Sequence, residues 1–401
     1  MAKIVELVAV TDIGVGSGDF WVKVIDYDGT VLLEKRGNNG DSFDLPSAPS
    51  HEGLVFQEWS ASCPITDGKV IIDNNNIMVG AVYTTASGQN EFDITLTKAT
   101  GLAVTLNMDG TKDWGDGTSD TNTTHTYTAY GNYTIKCNGT TMTTSSSSGL
   151  FGNTNSYVRF VRLVTVTTIG AYAFYKSYGL LDIIILARIE KIGNYAFCYC
   201  NALQNIIIAK GITNIGEHAF ENCCSLTNLV IPNGVLSIGK SAFKNCYTLT
   251  NMVIPNGVTS LAGALFIECY ALKNIIIPEG VTIIGASSFY DCYSLKHINI
   301  PERVTDIGAY SFYCCKSLQS AIFSDGLTDI KGDAFNGCNS LVKLDFSQCS
   351  AVPTLSNTSA FSGITKIAKI IVPDSLYDSW VAAANWSTYA DYIYKASEVT
   401  A

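Results

Sequence analysis

Leu226-Thr227-Asn228-Leu229-Val230-Ile231-Pro232-Asn233-Gly234-Val235-Leu236-Ser237-Ile238-Gly239-Lys240-Ser241-Ala242-Phe243 is one copy of the unit that decides the fold. Phe174, Phe197, Phe220, Phe243, Phe266, Phe289, Phe312 and Phe335 lie 23 residues apart. The cysteines from Cys200 to Cys338 and the leucines from Leu180 to Leu341 keep the same step. A fixed period of this length marks a solenoid, in which each unit buries its apolar side against its neighbours. The expected fold class is mainly β: a parallel solenoid of 23-residue coils over residues 169–369, preceded by two small β domains.

Within the unit, Leu226 to Ile231 reads as a strand whose side chains alternate across the sheet. Leu229 and Ile231 then point inward, and Asn228 and Val230 outward. Pro232 ends the strand by removing a backbone donor. Asn233-Gly234 reads as a turn in which glycine takes positive φ. Arg188 and Arg303 stand at that glycine position in two coils and are expected to cost about 1 kcal/mol each if the backbone needs positive φ. Gly239 to Asn245 reads as a tight, helical corner that drops Phe243 and Cys246 into the core.

Composition narrows the function classes. The chain has 401 residues, 47% of them hydrophobic and 15% charged, so a folded chain of two or three domains is expected. A net charge of −10 argues against nucleic acid as a partner. No apolar run reaches the length of a membrane span. Met1 to Val10 lacks the pattern of a secretory signal. The 13 cysteines are an odd number, and seven sit in the repeat, where a free thiol suits a small buried position. Adjacent coils would place ladder cysteines about 4.8 Å apart. That is within disulfide range but with unsuitable side-chain directions, so thiols are expected. Cys198, Cys200, Cys223, Cys224, Cys314 and Cys315 lack the paired spacing of a zinc site, and no metal or cofactor is expected.

Residues 1–86 read as short strands. Phe20 to Ile25 alternates, Asp28-Gly29 supplies a turn, and Val31-Leu32-Leu33 returns as a hairpin partner. With Gly40, Pro46, Pro49, Gly53, Phe56, Trp59, Val79, Ala81 and Tyr83 in order, the segment resembles the Listeria–Bacteroides repeat, a small β-grasp-like module of surface proteins. The resemblance implies a spacer or attachment role. Residues 87–143 form a second β unit. Trp114-Gly115-Asp116-Gly117, then His125-Thr126-Tyr127 and Gly131-Asn132-Tyr133-Thr134-Ile135, are similar to a polycystic-kidney-disease-type (PKD) immunoglobulin-like sandwich, in which the W-G-D-G turn is structural. Asp109, Asp113, Asp116 and Asp120 also admit a calcium-loop reading, without EF-hand spacing. Residues 144–168 read as a linker, Ser145 to Gly149 by composition, and an N-terminal solenoid cap.

The repeat itself resembles the BspA-like leucine-rich repeat of bacterial surface proteins, with its L-x-x-[IV]-x-IP-x-G-V-x-x-I-G-x-x-AF-x-x-C pattern. The family implies adhesion and host interaction, and similar repeats occur in bacteriophage tail proteins. Ala262 replaces one corner glycine and Leu265 that corner's alanine, so distortion is expected there. Lys331 replaces another corner glycine, and Phe361 follows Phe335 by 26 residues, so the array is expected to end. Residues 370–401 read as a C-terminal cap. Ile370 to Pro373 makes a last strand, and Asp374 caps a helix bearing Leu376, Trp380 and Ala384 on one face.

No catalytic constellation emerges, and an enzyme is not expected. The four histidines, His51, His125, His218 and His297, fall in no nucleophile or metal motif. Gly14, Gly16 and Gly18 lack the βαβ setting of a dinucleotide site. The outward sheet positions say more. One row is Asn205, Asn228, Asn251, Asn274 and His297. Beside it runs Ile184, Ile207, Val230, Val253 and Ile276, then Asn299. An exposed apolar stripe of this kind marks a contact surface, although β-branched residues also suit strands for their own sake. Tyr247, Tyr270 and Tyr293 form a second, aromatic strip, for binding or for shielding the corner. The expected function is non-enzymatic recognition of a cell-surface protein or glycan, without membrane insertion, as a phage virion component. A bacterial adhesin, or an assembly protein whose stripe packs on another subunit or a second copy, is the alternative.

Overall fold

The computed structural model describes residues 20–26, 30–50, 54–61, 65–72, 77–85, 89–96, 102–144, 149–152, 156–185, 189–208, 210–363 and 368–399. Gly14, Gly16, Gly18, the Asp28-Gly29 turn, His51, Ser145 to Ser148 and Arg188 lie outside these residues.

Phe20–Ile25 and Val31–Gly37 form the expected antiparallel hairpin. Phe20–Ile25 also pairs in parallel with Ile77–Thr85, whose other edge carries Leu54–Ala61 antiparallel. Val22, Val24, Val70, Ile72, Ile77 and Val79 close a small core of their own.

The second unit is a sandwich. One sheet joins Ser119–Asp120, Lys112–Asp113, Gly131–Cys137 and Asn90–Leu96; the other pairs Leu102–Thr105 with Thr124–Tyr127. Trp114 is fully buried between them. Its Nε1 donates to Asp120 Oδ1 at 3.1 Å, and Tyr127 Oη donates to the Trp114 carbonyl at 2.7 Å. The sheet does not stop at this unit's edge. Asn90–Leu96 pairs antiparallel with Val158–Leu163, which pairs in parallel with Asp182–Ile185. One apolar core therefore extends from Phe92 to Ile393. At the seam Arg162 Nη1 meets Glu91 Oε2 at 3.0 Å. Buried Asn90 accepts from the Val164 and Thr165 amides and donates to the Gly139 carbonyl, so each half of its amide is satisfied.

In the solenoid the rhythmic residues line up rung above rung. Strands such as Asn205–Ile208 and Asn228–Val230 pair in parallel with Asn205 opposite Asn228. The phenylalanines from Phe174 to Phe335 are fully buried. Their rings stack, with Phe174 and Phe197 at 5.0 Å and Phe312 and Phe335 at 4.8 Å between centroids. The ladder cysteines do more than fill space. Cys223 Sγ donates to the Phe197 carbonyl at 3.2 Å and Cys246 Sγ to that of Phe220 at 3.3 Å, and the bond repeats from Cys200 to Cys338. Burial pushes the Cys223 and Cys246 thiols well above their ordinary value, which keeps these donors protonated. The described cysteines are all free thiols.

The corner is not helical, and most positive φ lies there; in the turn after the strand only Gly211 among the described repeat glycines takes it, at φ 118°. Gly234, Gly257 and Gly280 avoid the left-handed region, so Arg303 at the matching position carries no such cost. Each corner instead has two left-handed residues, mostly not glycine: Tyr195 and Tyr199, His218 and Asn222, Ser241 and Asn245. Left-handed φ is uphill for L-residues. Alternate amides offset it by reaching the next coil: Tyr195, Phe197 and Tyr199 donate to Glu217, Ala219 and Glu221. The amides between them bond within the coil, Ala196 to Gly193 and Cys198 to Tyr195. The corner glycine is needed for contact, since a Cβ on Gly239 would lie 2.5 Å from the Glu217 nitrogen. Where Ala262 replaces it, strand pairing between coils is interrupted among the described residues. Neither Asn228–Val230 with Asn251–Val253 nor Ser237–Ile238 with Ser260–Leu261 forms a ladder. The interruption is confined to the strands, since Phe243 still stacks on Phe266 at 5.5 Å, and it recurs between Asn274–Ile276 and His297–Asn299, where the corner keeps Gly285.

The array also runs one coil further than its period suggests. Phe361 stacks on Phe335 at 5.5 Å despite the longer step, and Lys369–Val372 pairs with Lys343–Asp345. A strand not expected from sequence, Ile393–Lys395, closes the sheet edge on Lys369–Val372. Asp374 does not cap the helix. Its Oδ1 accepts from the Ser397 amide at 3.0 Å, and the helix spans only Tyr377–Ala382, leaving Ala384 exposed beyond it. Trp380 and Trp386 are buried against Phe346.

Candidate binding surface

The outward face of the solenoid sheet splits into two parts. In the first coils the apolar stripe points out of the solenoid as alternation requires, yet it is not open. Ile207 is 1% exposed, Val230 0% and Val253 5%. The first module covers them. Ile25 and half-buried Val31 pack with Val230 and Val253. Gly80, on Ile77–Thr85, lies over the stripe so closely that a Cβ there would come 3.3 Å from Val230 Cγ2 and 3.8 Å from Ile207 Cγ1. The Asn233 amide donates to the Ala61 carbonyl at 3.2 Å beside this contact. Ile184 is buried as well. The expectation that Ile207, Val230 and Val253 face an external ligand is therefore corrected. Hydrophobic burial drew the chain's own module onto them.

The asparagine row has its own explanation. Asn205 is buried, with Nδ2 donating to Asp182 Oδ1 at 2.7 Å. Asn274 Nδ2 donates to Asn251 Oδ1 at 3.0 Å, and Asn251 Nδ2 to Thr250 Oγ1 at 3.1 Å. Identical amides one rung apart satisfy one another, which stabilises the stack without a ligand. The Asn228 side chain lies outside what is described.

From Ile276 onward the face opens. Asn274, His297 and Asn299 are exposed and Ile276 is half-buried. His297 Nδ1 lies 2.8 Å from Ser320 Oγ. The two rows continue past the residues singled out from sequence, through Ser320 and Ile322, then Lys343 and Asp345. Ile322 is 43% exposed. Carrying the 23-residue step two coils further would have found them. Burial pushes the Asp345 carboxyl upward, but hydrogen bonds from Ser347 and Lys343 outweigh it and hold the group below its ordinary value.

Tyr247, Tyr270 and Tyr293 are half-buried and stack on one another, at 5.0 and 4.9 Å between centroids. Lys316 Nζ sits 4.1 Å from the Tyr293 ring centroid. A hydrogen bond to Glu268 raises the Tyr270 hydroxyl above its ordinary value. The ring faces between neighbours are thus used inside the row.

In the second unit the aspartates serve the turns. Asp109 Oδ1 accepts from the Thr140 and Thr141 amides, Asp113 Oδ1 from Gly115 and Asp116 Oδ1 from Thr118. His125 Nε2 lies 2.7 Å from Asp116 Oδ2, and its ring stacks on Trp114. Among the described residues no group of three or more His, Cys, Asp or Glu is placed to hold a metal ion. No helix among them is long and apolar enough to cross a membrane.

A search of the curated proteins finds no match. Among solved structures, a leucine-rich repeat protein from Bacteroides ovatus is 22% identical, covering 58% of this chain and 68% of its own, with a TM-score of 0.45. A leucine-rich cell surface protein from Faecalibacterium prausnitzii is 21% identical over 60% of this chain and 83% of its own, with a TM-score of 0.37. The leucine-rich repeat protein of T. pallidum is 18% identical over 59% and 93%, with a TM-score of 0.27. Repeat proteins of this kind are commonly surface proteins that bind other proteins, and they are generally non-enzymatic. The model of the BspA type leucine-rich repeat region matches residues 167–282 and 263–379, more than half of the chain. The chain belongs to the BspA-type leucine-rich repeat family.

Proposed function

We propose that the chain is a surface recognition protein that binds a partner through the open part of its sheet face, from Asn274 and Ile276 to Ile322 and Asp345. The supporting observation is the contrast in coverage: the first coils are closed by the chain's own module, while the later coils leave the polar and apolar side chains of their strands uncovered. Pre-formed surfaces bind with little ordering cost. The first module serves as a spacer or attachment unit of the Listeria–Bacteroides type, a reading supported by its parallel central strand pair. The second is PKD-like, supported by a buried Trp114 turn within a two-sheet sandwich. The assembly reading loses its main support, because the stripe it needed is already occupied within the chain. A virion setting rested on the first residues, which lie outside those described, and the cell-surface setting of the family is the one carried forward.

The test uses the labelled full chain on intact bacterial and animal cells. Saturable binding to one surface, weakened about tenfold or more by Ile276→Glu with Ile322→Glu at unchanged thermal midpoint, supports the proposal. Binding that the double variant leaves intact refutes the sheet face as the site.

A further inference from the structure

The open part of the face is electrically polarised across its strands. Lys273 and Lys296 stand exposed where two strands begin; the next strand, Ser320–Ile322, has no lysine there, and Lys343 and Lys369 are exposed at the first positions of the two strands after it. On the far margin, in the turns that follow the strands, Glu279, Glu302 and Asp325 are exposed, with one exposed cation, Arg303, beside Glu302. One margin is thus basic in a chain of net charge −10, which is a local reversal of sign. Lys343 Nζ pairs with Asp345 at 3.0 Å, and Lys369 Nζ lies 5.7 Å from the Tyr394 ring centroid. Among the described residues Lys273 and Lys296 make no ion pair. From Lys273 to Lys369 there are four coil steps, about 19 Å at strand spacing. Half-buried Ile276 and exposed Ile322 lie within the same band.

Resting on the reading of this face as the binding site, we propose that the partner presents an acidic polypeptide segment, laid along the solenoid axis over the basic margin. An extended segment advances about 3.3 Å per residue, so about six residues span the four steps, with side chains on one face every second residue. Two or three carboxylates can reach the lysines while apolar neighbours meet Ile276 and Ile322. Glu279, Glu302 and Asp325 repel the same segment from the opposite margin and set its position, since like charges brought together suppress wrong placements. A polypeptide fits better than an acidic polysaccharide. The apolar residues beside Lys273 and Lys296 are aliphatic, Tyr394 lies under Lys369, and the faces of Tyr247, Tyr270 and Tyr293 are taken up by one another and by Lys316.

Fluorescein-labelled poly-L-glutamate, titrated with the full chain and followed by anisotropy, tests this. Binding is expected to weaken as salt rises, because the lysines are exposed. Lys273→Glu with Lys296→Glu should weaken it about tenfold or more, while Lys191→Glu with Lys240→Glu, the same charge change at exposed sites elsewhere, should stay within about twofold. Absence of binding, equal weakening by the control pair, or tighter binding of heparin than of polyglutamate overturns the proposal; the heparin result would assign the margin to an anionic glycan. The two readings fail separately. If cell binding still depends on Ile276 and Ile322 while the lysine variant binds cells like the parent, only the acidic-partner inference falls. If neither pair matters, both fall.

Discussion

In the early coils the second outward position of each strand is held by Ile184, Ile207, Val230 and Val253, all buried. In the later coils the same position is held by Ile276, Asn299, Ile322 and Asp345, all exposed or half-buried. The position within the repeat is the same in both halves; what differs is whether another part of the chain lies on top. An apolar row on a repeat sheet therefore does not by itself identify a ligand site. Here the more uniformly apolar half marks an internal contact, and the mixed half is the one left free.

That comparison can be broken most severely at Val230. Val230→Glu places a charge under the first module, against apolar Ile25 and Val31, and should cost about 3 kcal/mol or more, or release the module. Calorimetry should show a separate low-temperature transition. Ile322→Glu, at the equivalent position of the open half, should change stability by no more than about 0.5 kcal/mol. Equal costs would remove the distinction.

The interface between coils gives a smaller effect. Gly239→Ala sets a Cβ against the Glu217 nitrogen and should destabilise by about 2 kcal/mol. Ala262→Gly should do the reverse locally, slowing amide exchange in Asn251–Val253 by restoring pairing with Asn228–Val230. Unchanged exchange would show that Ala262 is not the cause of the interruption.

The smallest effect is acid sensitivity at Asp345 in the open half. The Asp345 carboxyl is depressed in the folded state, so its contribution is present at neutral pH. It is lost as pH falls below the ordinary carboxyl value of about 4. Asp345→Asn should flatten the fall of the thermal midpoint over that range, while Val230→Ala should leave its slope unchanged.

Much of the solenoid was legible because its signal is local and repeated. Phe243, Cys246 and Leu249 each report the same inward position in several copies, and alternation then fixes that Val230 points away from the core. What the period could not report was what lies above Val230, since Ile25 and Gly80 are far away in sequence and belong to no repeat. Corner geometry was hidden for another reason. Tyr195, His218 and Ser241 are not residues that announce positive φ, and hydrogen bonds to the next coil hold them there. The seam between Asn90–Leu96 and Val158–Leu163 and the closing strand Ile393–Lys395 are likewise single, non-repeating pairings. At the candidate site, Ile276, His297 and Asn299 were found from the repeat. Ile322 stands one coil beyond Asn299 in the same row and is legible by the same 23-residue step.

The central claim is that the chain's own module covers the early stripe and leaves the later coils open. Maleimide labelling of folded Val230→Cys and Ile322→Cys variants, mapped by peptide mass spectrometry, tests it most directly. The account predicts rapid modification at position 322 and protection at position 230 until the protein is unfolded. Equal labelling of both positions in the folded chain would contradict it.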